Sequence, residues 1–268
     1  MNVTITVRTA FGMVILSVLI AFGLGSAVTP VFHSWFPNTR PLYISFFSIL
    51  IGQGFMVIPV VIYLRRFHIP LRSTLRLRKV SFQTMASVFI MAVGLVILMD
   101  ELDRLAAMIV PLPDYLTKMN EALTFDSWTS ALLLISALVI LAPLGEEMLF
   151  RGFLQKSLED GWGDITRAVL VTSLFFAFIH LNPYWIIQIY ILAVMLGYLA
   201  WQADSIIPSF ILHCVNNGIA LAFDNVSDSF LEHYYLWHNH VALPWLIGSG
   251  ILVYLGFRAF HATLEASL

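Results

Sequence analysis

The chain has 268 residues, of which 59% are hydrophobic and only 11% charged, against about 25% charged in an ordinary soluble domain. With a mean hydropathy of +0.86 and its apolar residues in long blocks, it reads as an integral membrane protein embedded in the lipid bilayer. No basic stripe points to a nucleic-acid partner, the net charge of −2 is uninformative, and a single cysteine, Cys214, excludes an intrachain disulfide.

A bilayer core takes about 20 apolar residues per helix. In chain order the segments that qualify are 10–29, 42–64, 81–99, 128–157, 165–181, 184–201, 206–223 and 241–259. The expected architecture is therefore all-α and polytopic, with about eight transmembrane helices. Residues 10–29 follow Arg8 and resemble a signal peptide. The further apolar blocks make them a retained first span instead. Linkers are short and no internal repeat is visible, so residues 1–268 are expected to form a single membrane domain.

Orientation follows from charge. The linker "RRFHIPLRSTLRLRK", residues 65–79, is dense in Arg and Lys, and the positive-inside rule places it in the cytoplasm. An even number of spans then puts both termini, near Arg8 and Arg258, on the same side. A bacterial plasma membrane with both termini cytoplasmic is the expected location. The mostly acidic stretch 100–126 falls outside and is a candidate surface helix. His33, His68, His233, His238, His240 and His261 fall in loops or near span ends and read as solvated or interfacial. Asp204 reads as a loop residue.

The fourth segment is unusual. It runs apolar from Trp128 to Leu158, yet contains "LAPLGEEMLFRGFLQ", residues 141–155. Ionisable groups in such a run are costly unless paired or functional. At 1.5 Å per residue the run is about 46 Å long, so it is expected to tilt, bend near Pro143 or project into the cytoplasm. Glu147 and Arg151 are spaced i,i+4 with the glutamate first, the favourable order for an ion pair. Glu146 points about 100° away from that pair. Counted from the cytoplasmic helix ends, Glu146 lies about 18 Å deep, His180 about 24 Å and His213 about 12 Å. Three helices thus carry ionisable groups to similar depths. Phe176 can flank His180, and Asn217 shares a helix face with His213. Cys214 and Asn216 read as neighbours. The bland alternative makes Glu147–Arg151 a structural ion pair, the histidines packing groups and Asn217 interhelical glue.

Three motifs stand in order on successive apolar helices: "EEMLFR" (146–151), "FAFIH" (176–180) and "HCVNN" (213–217). As E-E-x-x-x-R, F-x-x-x-H and H-x-x-x-N they resemble the signature of the CAAX-protease and bacteriocin-processing family of intramembrane proteases, also called the Abi family. The resemblance covers roughly residues 128–223, the expected catalytic core. It implies an eight-helix bundle around a polar intramembrane cavity open to the cytoplasm. It also implies hydrolysis of a peptide bond in a membrane-associated protein or peptide. By motif position Glu146 would be the general base, Glu147 and Arg151 its supporting pair, and His180 the holder of the water. His213 and Asn217 would stabilise the oxyanion.

The residues make chemical sense in those roles. A carboxylate in a low-dielectric site gains proton affinity, and amide and imidazole donors suit a developing oxyanion. No Ser-His-Asp set or H-E-x-x-H motif is evident. Glu146, His180 and His213 offer mixed oxygen and nitrogen ligands that could hold zinc with a water in the fourth position. Equally, the glutamate could work unaided, a reading favoured by the pairing of Glu147 with Arg151. Buried Glu, His and Arg also suit a proton-coupled transporter, although no repeat or broken helix pair is visible. A non-catalytic membrane scaffold is the third reading.

Overall fold

The computed structural model describes residues 5–39, 41–114, 116 and 123–266. Helix α1 spans Val7–Trp35 and is capped by the Thr6 hydroxyl, which accepts from the Thr9 amide at 3.1 Å. Pro30 lies inside it. Helices α2 (Pro41–Met56) and α3 (Ile58–Arg66) form one kinked rod. A short α4 (Leu71–Thr74) lies in the Arg-rich linker, and α5 runs Phe82–Ile109. Helix α6 is continuous from Trp128 to Trp162 and ends at Gly163 in the left-handed conformation, φ +63°. Then come α7 (Ile165–Ile179), α8 (Ile186–Gln202), α9 (Ile206–Phe223), α10 (Asp228–Tyr234), a hairpin of β1 (Leu236–Trp237) and β2 (His240–Val241), and α11 (Leu243–Glu265).

The all-α membrane-protein expectation holds, with the small hairpin as its single strand pair among the described residues. Six helices are long and apolar enough to cross a bilayer: α1, the α2–α3 rod, α5, α6, α9 and α11. The other two expected spans are α7 and α8, of 15 and 17 residues, or about 22 and 25 Å. They fall short of the roughly 30 Å hydrocarbon core. They form a short hairpin whose turn is tied down by Asp103 of α5, which accepts from Trp185 Nε1 and Gln188 Nε2, each at 3.0 Å. The acidic stretch differs in part from expectation. Residues 100–109 extend α5, and Asp100 pairs with Arg104 at 3.0 Å within it. Residues 117–122 lie outside the described residues.

Burial sorts the bundle. In the most apolar window of α1, 22% is buried inside the protein, and in that of α11 only 17%, against 44% for α5 and 39% for α6. Helices α5 and α6 are therefore central, while α1 and α11 turn apolar faces such as Leu19, Phe22, Ile251 and Tyr254 outward. Lipid is the solvent that such faces suit. Close helix approach relies on small residues, as expected where apolar burial drives little association. A Cβ on Gly94 of α5 would meet Ser249 O of α11 at 2.5 Å, and one on Gly256 would meet Met91 N at 2.6 Å.

Helix α6 resolves the over-long fourth segment. It is π-helical over Ile135–Leu141 and again over Met148–Gln155, with an α-helical stretch, Ala142–Glu147, between them. Wider turns shorten the rod, and it passes through Pro143 without breaking. The Ala142 amide bonds to Ala137 O, five residues back. In that register residue 143 would serve Leu138 O, but proline has no N–H. The Asn217 side chain on α9 supplies the missing donor: its Nδ2 bonds Leu138 O at 3.0 Å. π-Helical turns are rare and concentrate at functional sites, and these flank the two glutamates.

Candidate active site

The glutamates lie in the α-helical interval of α6, and Arg151 lies in the second π segment. Glu147 and Arg151 are fully buried. Arg151 Nη1 donates to Glu147 Oε1 at 2.9 Å, so the expected i,i+4 pair is formed. Its Nη2 donates to Ala193 O on α8 at 3.2 Å, and its guanidinium carbon lies 4.2 Å from the centroid of the Phe176 ring. The cation is thus held by a carboxylate, a carbonyl and an aromatic face.

His213 enters from α9. It is 4% exposed. Its Nδ1 lies 2.9 Å from Glu147 Oε1, and its Nε2 lies 3.7 Å from Glu146 Oε2. A carboxylate already bonded to arginine is an acceptor, so Nδ1 carries the hydrogen, and in the neutral ring Nε2 presents a lone pair. The imidazole therefore bridges the two adjacent carboxylates. Glu147 pairs with both Arg151 and His213, so it orients the imidazole as well as binding the arginine. Glu146 remains 8% exposed and is without an arginine partner among the described residues.

Phe176, 1% exposed, forms the common wall. Its centroid lies 4.6 Å from that of His180 and 5.9 Å from that of His213. Phe150 packs edge-on against it at 5.1 Å. His180 sits at the C-terminal end of α7, with Nδ1 2.8 Å from Phe176 O. Both imidazoles thus pack against the one phenylalanine ring. Among the described residues no three His, Cys, Asp or Glu side chains gather to hold a metal ion. Of the zinc set read from the sequence, Glu146 and His213 lie 3.7 Å apart, and His180 packs on Phe176 with its Nδ1 on Phe176 O. Asn217 lies one turn beyond His213. One Nδ2 hydrogen is used on Leu138 O, and its Oδ1 accepts from Asn216 at 3.2 Å.

Several participants escape a reading of the sequence. Gln155 and Glu159 continue the i,i+4 row of Glu147 and Arg151 down the same face of α6. Gln155 is fully buried, and its Nε2 donates to Gly197 O and to Glu159 Oε1, both at 2.9 Å. Ala193 and Gly197 are likewise four apart on α8. The two helices are thus laced by side chain to carbonyl at two successive levels. The four-residue spacing was available as a signal for Gln155 and Glu159, whereas Asp204 reads as a loop residue. Asp204 is in fact a bridge, 3.2 Å from Arg76 Nε and 2.8 Å from Arg78 Nη1. Two histidines read as solvated or interfacial have side-chain partners. His240 Nδ1 lies 2.8 Å from Glu101 Oε1, and His261 Nε2 lies 2.8 Å from the Tyr198 hydroxyl.

No curated protein and no solved structure matches the chain. Residues 128–219, from the start of α6 to near the end of α9, match the family described as type II CAAX prenyl endopeptidase Rce1-like. That stretch contains every member of the buried Glu–Arg–His constellation, and its match supports membership of the chain in the CAAX-protease and bacteriocin-processing family.

Proposed function

We propose that the chain is an intramembrane endopeptidase that hydrolyses a peptide bond of a membrane-associated protein or peptide with a water activated by Glu146. The observation that carries this reading is the 3.7 Å separation of Glu146 Oε2 and His213 Nε2. That gap is long for a direct hydrogen bond, yet one water can bond both atoms at ordinary length. Both atoms are acceptors when His213 is neutral. The water then points its two hydrogens at them and its lone pair outward, toward a scissile carbonyl. Glu146 takes the proton as the bond to carbon forms. His213 Nε2, with its lone pair toward Glu146, can take that proton from Glu146 and pass it to the nitrogen of the leaving amine as the C–N bond breaks. Glu147 and Arg151 hold the imidazole in the required tautomer, in the manner of the third member of a catalytic triad. The second Nδ2 hydrogen of Asn217 is the donor proposed for the oxyanion, and His180, whose Nδ1 hydrogen is on Phe176 O, offers Nε2 as an acceptor that helps hold the water.

The proposed substrate is a membrane-associated protein or peptide that reaches a polar cavity open to the cytoplasm. The Arg-rich linker 65–79 supports a cytoplasmic position for the end of the bundle at which α6 terminates, with both chain termini on that side of a bacterial plasma membrane. We take residues 1–268 as one membrane domain with 128–223 as its catalytic core. The test is a comparison of membrane-derived peptides from cells expressing the wild type or Glu146→Gln. A set of cleavage products lost in the variant, at equal protein abundance, is expected. Identical peptide sets would overturn the protease reading in favour of a scaffold.

A further inference from the structure

We propose that Arg76, in the linker ahead of α5, is a positioning residue that sets the axial register between the helix carrying Glu146 and Glu147 and the helix carrying His213. This rests on the protease reading for its consequence but not for its geometry. Arg76 is 2% exposed although it belongs to the most cationic stretch of the chain. Its φ of +50° puts a non-glycine residue in the left-handed region, where Cβ crowds the backbone. A surface arginine has no need of either.

The reason lies in what the residue grips. On the α6 side, Nη1 donates to Arg151 O at 3.3 Å and to Glu159 Oε1 at 3.2 Å, while Nη2 pairs with Glu159 Oε2. On the α9 side, Nε donates to Asp204 at 3.2 Å, and the Arg76 carbonyl accepts from the Ile206 amide at 3.0 Å, at the first residue of α9. Ser205, the cap of α9, donates to Arg78 O at 2.7 Å. One residue thus fixes the start of α9 against the Arg151 level of α6. His213 stands seven residues, two turns, beyond Ile206. Arg151 is one turn beyond Glu147. The His213–Glu147 contact of 2.9 Å therefore depends on an offset set at the Arg76 junction.

The seat for the linker is built for contact. A Cβ on Gly152 would meet Leu75 O at 2.7 Å, so the linker backbone lies directly on α6. The planar fork of arginine reaches a bidentate carboxylate, a carbonyl and a second carboxylate at once, whereas an ammonium is a single compact point. The inference is therefore specific to arginine and extends beyond a charge requirement.

The experiment uses the full chain in lipid nanodiscs with ¹⁵N-labelled histidine, His213 being assigned by loss of its signals in His213→Gln. Wild type, Arg76→Lys, Arg76→Gln and the distant Glu101→Ala are compared for melting temperature, helicity and the His213 nitrogen shifts. Glu101 holds His240 and Val241 at another end of the bundle, so Glu101→Ala serves as a destabilised control. In the wild type His213 should show a single Nδ1–H tautomer. In Arg76→Gln it should move toward the average of two tautomers, with Arg76→Lys between, and Glu101→Ala should leave it unchanged. Unchanged His213 shifts in Arg76→Gln, or an equal change in Glu101→Ala, would reduce Arg76 to a structural ion pair. Loss of the fold in both Arg76 variants would do the same. The expected His213 shift in Arg76→Gln, found for a protein whose wild type cleaves nothing, would uphold the positioning role and count against the protease reading.

Discussion

Arg151→Ala removes a cation at the centre of the bundle. It deletes the 2.9 Å bond to Glu147, the 3.2 Å bond to Ala193 O and the ring contact with Phe176 at 4.2 Å. The decisive effect falls on Glu147, which is 0% exposed and keeps no cationic guanidinium beside it, His213 remaining at 2.9 Å. Breaking a buried pair by removing one partner costs about 3–5 kcal/mol, because a charge stays behind in low dielectric. Against a total stability of about 5–15 kcal/mol this is a large fraction. At about 2–4 °C per kcal/mol for a chain of this size, the melting temperature should fall by roughly 6–20 °C. The double variant Glu147→Gln/Arg151→Met removes both charges and keeps most of the volume. It should recover much of that loss, since apolar replacement of a whole buried pair is often nearly neutral. The assay is thermal unfolding of purified protein in one detergent, followed by intrinsic fluorescence and helicity. An Arg151→Ala protein as stable as wild type, or a double variant less stable than the single, would refute the claim that an uncompensated Glu147 charge is the dominant cost.

Asn217→Leu should destabilise by about 1–3 kcal/mol, because it orphans Leu138 O. Pro143→Ala restores an N–H for that carbonyl and should shrink the penalty, giving a coupling of about 0.5–3 kcal/mol in a double-mutant cycle; strictly additive effects would dissociate Asn217 from the proline gap. A cysteine at Ser73 in the Arg-rich linker should resist membrane-impermeant thiol reagents in intact cells and react after permeabilisation, and labelling from outside would reverse the proposed orientation. Cleavage should survive dialysis against a chelator, since among the described residues no three potential ligand side chains gather as a metal-holding group. Activity lost on dialysis and restored by zinc would return His180 to the role of ligand.

Helix periodicity is a local property, and what depends on it was legible in the chain. The long apolar blocks, the Glu147–Arg151 pair, the Phe176–His180 contact and the shared face of His213 and Asn217 all follow from residues three or four apart. The tie between Arg76 and Glu159 joins residues 83 apart, and that between His213 and Glu147 joins residues 66 apart. Such pairs depend on how each helix is rotated and how far it slides along its neighbour, which no local spacing encodes. Those two variables are decided by packing: Gly152 admits the linker backbone, Gly197 admits Gln155, and Asn217 fills the donor gap at Pro143. The sequence by itself determined a membrane bundle and the residue types of the proposed site. Only the tertiary structure placed the His213 ring between two carboxylates, because the offset between α6 and α9 is fixed where the linker grips both.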